Sequence, residues 1–77
     1  MTLMNYRNAK RVEIPGDRIL KITEGADRTP ERDYPYSDLV VWRPEEPGYY
    51  EIRVVESKRY ILMKMKEEGA VYHEQDA

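Results

Sequence analysis

The sequence predicts an all-β fold, or a β-rich α+β one, as a small single domain over residues 1–77. Polar and apolar residues alternate over 10–14, 49–56 and 61–66. Period-two alternation puts every second side chain on one face of a strand. Turn residues bound each run, and the runs are short and closely spaced, as in a meander of hairpins. Five to six short antiparallel strands are expected, closing into an SH3-like or OB-like barrel or bending strongly as an open meander.

Residues 1–9 are polar and lack a period, so they read as a loose N-terminal arm, or one pinned by Leu3, Met4 and Tyr6. Lys10-Arg11-Val12-Glu13-Ile14 is the first strand. Pro15-Gly16 stops it. Pro presets φ at the first central position of a turn and Gly accepts positive φ at the second, which fits a type II turn. Arg18 to Thr23 follows as a second strand, expected to pair with the first.

Glu24 to Ser37 shows no pattern and reads as a long loop. Thr29-Pro30-Glu31 resembles an N-cap with Pro at the first helical position, so at most one short helical turn is expected near 30–33. Pro35 blocks a longer one. Long loops in compact domains commonly carry function.

Asp38 to Arg43 is apolar on both faces, the mark of a central or covered strand. Pro44-Glu45-Glu46-Pro47-Gly48 is a turn cluster. In Tyr49 to Glu56, Tyr50, Ile52 and Val54 face one way while Glu51 and Arg53 face the other.

Ser57 to Glu68 admits two readings. A helix would have a Ser N-cap and a Gly just past its end. At 100° per residue, however, its apolar side chains scatter around the circumference. As a strand, Ile61, Met63 and Met65 share a face, Glu67-Glu68-Gly69 makes a hairpin loop and 70–73 returns. The strand is favoured. Residues 74–77 read as a frayed tail.

Composition excludes several functions. No apolar run approaches the roughly 20 residues of a membrane span. The N-terminal residues carry no apolar signal region, so the cytoplasm is the expected location. Without Cys there is no disulfide framework, thiolate metal site or thiol catalysis. A lone His73 cannot build a multi-His centre, and Glu45-Glu46 and Glu67-Glu68 stand in solvated turns rather than a pocket. No phosphate loop or nucleophile elbow is present. No catalytic residue, metal or cofactor is expected, and the chain reads as non-enzymatic.

Val, Ile and Leu total 15 and there is no Phe, so the core is thin. A domain of this length buries only about 60% of its unfolded surface. Seven Tyr and one Trp supply the remaining bulk. Tyr and Trp bury rigid area yet keep a polar handle, and with Arg they form binding hot spots. Arg28, Arg32, Tyr34, Tyr36, Arg43 and Tyr49 are therefore the candidate partner-binding residues. Tyr34 and Tyr36 either present themselves to a partner or fold back to cap a barrel end. Trp42 and Tyr50 are expected in the core.

Three functions remain open. The favoured one is a protein-interaction module, meaning a small subunit, adaptor or inhibitor of a larger protein that uses a sheet edge and the 24–37 loop. The second is a small barrel binding single-stranded nucleic acid by stacking. Thirteen basic against fifteen acidic residues weigh against it. The third is a structural homo-oligomer whose edge strands pair between copies.

Overall fold

The computed structural model describes residues 1–73. The tail expected at 74–77 lies outside them. Five strands and one helix follow in order: β1 Thr2–Met4, β2 Arg11–Glu13, β3 Ile19–Arg28, β4 Asp33–Trp42, β5 Tyr49–Val54 and α1 Lys58–Glu67. β3, β4 and β5 form an antiparallel meander with β4 central. β1 and β2 pair as a separate hairpin. The fold is β-rich and open, and the expected barrel does not close.

The meander exists because β4 can bury one face and half-bury the other. Ser37, Leu39 and Val41 point into the core, while Tyr36, Asp38, Val40 and Trp42 alternate outward. Leu39 stands between Ile22 of β3 and Ile52 of β5. Leu3, Ile14, Ile61 and Met65 join these residues from the N-terminal segment and α1, completing one core cluster. Full burial of each large aliphatic side chain contributes about 1.5–3 kcal/mol. The one buried polar side chain among the described residues, Ser37, donates from Oγ to the Glu56 carbonyl at 2.7 Å.

The N-terminal arm is not loose. Leu3 is buried opposite Val12, and the Met4 N–H donates to the Glu56 carboxylate at 3.0 Å. A bridge between Asn5 and Val54 then ties this hairpin to the end of β5. A three-residue strand has no visible period, and its anchor lies far away in sequence.

β2 consequently pairs with β1 and not with β3. Pro15 leads into a 3₁₀ turn, Gly16–Arg18, and Gly16 does not take the positive φ of a type II turn. Gly16 lies close against the end of α1. A Cβ there would lie 2.8 Å from a Glu68 carboxylate oxygen and 3.2 Å from Met65 Cγ.

Residues 24–37 are not a loop and contain no helical turn. They are the outer half of the β3–β4 hairpin, paired from Glu24 opposite Ser37 to Arg28 opposite Asp33. Thr29 closes the turn: its N–H and hydroxyl both donate to the Arg32 carbonyl, and its hydroxyl accepts the Arg32 N–H. Pro35 costs the ladder nothing. Its nitrogen faces away from β3, where β5 has already ended at the Val54–Ser37 pair.

Residues 58–67 are helical, correcting the favoured strand. Ser57 Oγ accepts the Tyr60 N–H at 3.1 Å. At the other end Gly69 takes φ 77°. Its N–H donates to Lys66 O, and Ala70 N–H donates to Met65 O, which is the Schellman pattern. Lys, Arg, Leu, Met and Glu are good helix formers, with Ile61 the sole β-branched residue between the caps. The apolar scatter is real: Ile61 and Met65 are buried, while Met63 stays 49% exposed. Residues 70–73 form no strand. Tyr72 packs beside the core, and its Oη accepts the Ile22 N–H at 3.0 Å.

Candidate interaction face

The face of the meander opposite the core is built by alternation. β4 places Tyr34, Tyr36, Asp38, Val40 and Trp42 there, since successive side chains point to opposite faces. Register adds Gly25 and Asp27 from β3, and Tyr49, Glu51 and Arg53 from β5.

Arg53 organises one end. Its Nε and Nη2 donate to the two Asp38 carboxylate oxygens at 2.8 and 3.2 Å. Its guanidinium carbon sits 3.7 Å from the centre of the Tyr36 ring. Tyr6 meets Tyr36 edge-on, with centroids 5.4 Å apart and planes at 63°. Tyr6 Oη donates to Asp27 Oδ2 at 2.7 Å. That hydrogen bond raises the Tyr6 phenol above its ordinary pKa, and the bond to Asp38 likewise raises Arg53. Gly25 makes room for the Tyr36 ring: a Cβ there would lie 2.7 Å from Tyr36 Oη.

At the other end, Trp42 and Tyr49 pack with centroids 5.3 Å apart, and Tyr49 is 68% exposed. At the hairpin tip the Arg32 guanidinium covers the Tyr34 ring at 4.7 Å. A depression lined by Asn5, Arg7, Asp38, Glu51, Ile52 and Arg53 flanks the Arg53 end.

The sequence-predicted residues divide between two faces. Tyr34, Tyr36 and Tyr49 share the outer face, and Arg32 reaches it at the tip. Arg28 stands opposite Asp33 on the other side of the hairpin. Arg43 lies over Tyr50 at 4.3 Å and pairs with Glu46 at 3.7 Å, away from Trp42 and Tyr49. Tyr34 and Tyr36 cap no barrel. Tyr50 packs against the core as expected, but Trp42 does not and belongs to the outer face.

Sequence reasoning missed Tyr6 and Arg53 as members of this group. Alternation over 49–56 had already turned Arg53 away from the core and was a usable signal. Tyr6 was legible only as a residue that could pin the arm, because its place on this face follows from the bridge between Asn5 and Val54.

No protein-family model, curated protein or solved structure matches the chain. Among the described residues, no helix is long and apolar enough to cross a membrane.

Proposed function

We propose that the chain is a non-catalytic protein-interaction module, a small subunit, adaptor or inhibitor that docks another protein on this outer face. The supporting observation is the ordered Tyr, Trp and Arg array on a sheet face that α1 does not cover. Rings held by neighbours lose little freedom on binding, so their area converts to affinity efficiently. Tyr, Trp and Arg are the residues that dominate protein interfaces. Asp27, Asp38 and Glu51 interleave with the rings, which disfavours a phosphate backbone on the same surface.

Capture from native extract tests this, with the chain compared against a Tyr34→Ala, Tyr49→Ala variant. Both rings are exposed, so the variant should fold and melt like the parent. The expected result is a protein retained by the parent after nuclease treatment and lost by the variant. Retention of nucleic acid, or equal capture by both chains, defeats the proposal.

A further inference from the structure

β3 is an edge strand, and the direction of its free hydrogen-bonding groups can be read off. Thr29 N–H donates to Arg32 O, so residues 29, 27, 25 and 23 bond toward β4. Ile22 N–H points the other way, to Tyr72 Oη. Alternation therefore turns the N–H and C=O of Glu24, Ala26 and Arg28 outward. All three residues are exposed. A row of such groups is a template for another strand.

We propose that this edge pairs antiparallel with the same edge of a second copy of the chain, across a twofold axis through Ala26. The edge is self-complementary in that register. Ala26 meets Ala26 of the second copy, and Glu24 meets its Arg28 on both sides of the axis. Each pair exchanges both of its backbone hydrogen bonds. Opposite charges directly across a ladder stabilise it, and like charges destabilise it. Arg28 has no ion pair among the described residues, so it is available.

Neighbouring registers fail. A shift by two residues brings in either Ile22, whose N–H is already given to Tyr72, or Pro30, which has none. The ladder thus ends where its free groups end. The interface is isologous and closed, so it stops at two copies. The two outer faces would lie side by side, with Tyr34 and Tyr36 near the axis. Pairing itself does not depend on what docks on those faces.

Sedimentation equilibrium from about 10 µM to about 1 mM protein tests the pairing. A monomer–dimer equilibrium is expected. Arg28→Glu sets Glu opposite Glu twice and should raise Kd about tenfold. Glu24→Arg should do the same. The double variant restores opposite charges and should return Kd to within about threefold of the parent. The chain has no Cys, so Ala26→Cys adds a single thiol. Across the axis the Cα atoms would stand about 5.5 Å apart, within disulfide range, and oxidation should yield a covalent dimer. Thr23→Cys, facing β4, should not. Glu24 also accepts the Lys58 N–H at 3.3 Å, so Arg28→Glu is the variant that leaves the helix contact intact. Circular dichroism confirms its fold. Tyr34→Ala with Tyr49→Ala should leave the dimer unchanged even if partner binding is lost. A monomer throughout the range, a dimer indifferent to Arg28→Glu, or charge reversals that do not rescue each other overturn the proposal.

Discussion

Arg53 is held by Asp38 on one side and by the Tyr36 ring on the other, and this double contact separates two tyrosines that look alike in sequence. Tyr34 and Tyr36 flank one proline, yet their surroundings differ. Tyr34 is 41% exposed and touches mainly Arg32 at the tip. Tyr36 is half-buried between Gly25, Tyr6 and Arg53. An aromatic pair contributes about 0.5–1.5 kcal/mol beyond burial, and an exposed cation–π contact about 0.5–1 kcal/mol. Tyr36→Ala should therefore cost about 1–2.5 kcal/mol. Tyr34→Ala should stay within about 0.5 kcal/mol of the parent. Urea unfolding monitored by Trp42 fluorescence separates them. Equal losses would mean that the outer face is not organised around Arg53. An expectation that both rings are alike follows naturally from the Tyr-Pro-Tyr triplet. The distinction arises only when β3 brings Gly25 beneath one ring and β5 brings Arg53 above it.

At the scale of elements, legibility followed burial. The β4–β5 hairpin was readable because Leu39, Val41, Tyr50, Ile52 and Val54 alternate against one core. The outer half of the β3–β4 hairpin was not. Gly25, Ala26, Asp27 and Arg28 bury almost nothing, and they are strand because the ladder continues in register past the core. Part of the outer face was therefore legible as Tyr34, Tyr36 and Tyr49, while the partners that fix it were hidden in pairing. Helix α1 failed for a different reason. Its apolar residues outnumber the positions it buries, so Tyr60 and Met63 obscured the Ile61–Met65 stripe. Its caps were written plainly in Ser57 and Gly69. Each cap has a measurable value. Ser57→Ala should cost about 1 kcal/mol by orphaning the Tyr60 N–H. Gly69→Ala should cost about 1–2 kcal/mol, because a Cβ resists the left-handed region. Nothing lies within 4 Å of that Cβ, so the cost is conformational alone. Gly69→Asn, whose side chain tolerates that region, should lose clearly less. Equal losses for Ala and Asn would show that the helix does not end in this motif.

At the scale of the whole molecule, the closure lies at Met1. Its side chain is nearly buried, and its amino group donates to the Ile14 carbonyl at 2.8 Å. It also meets Glu68 at 3.0 Å and Glu13 at 3.1 Å. One charged group thus ties the first residue to β2 and to the end of α1. The contact matters because the two-stranded hairpin would be marginal alone. Burial works against the charged amine, but the hydrogen bonds to Glu68 and Glu13 outweigh it, and its pKa is raised above the ordinary 8.0. Glu13 is lowered in turn by Thr2 and by the same amine. The sign of the pH dependence follows. A group whose folded pKa is raised contributes stability that is complete below its unfolded pKa and is lost as pH rises through the folded one. Thermal melts should therefore hold level near neutrality and decline over the alkaline interval above about pH 8. Glu68→Gln removes the carboxylate but keeps a hydrogen-bond acceptor. It should lower the melting temperature at neutral pH and flatten the alkaline decline. Tyr72→Phe leaves the amine untouched and should keep the full decline, while losing the bond from Ile22. A parent melting temperature independent of pH across this interval would show that the amine of Met1 does not hold the β1–β2 hairpin to the end of α1.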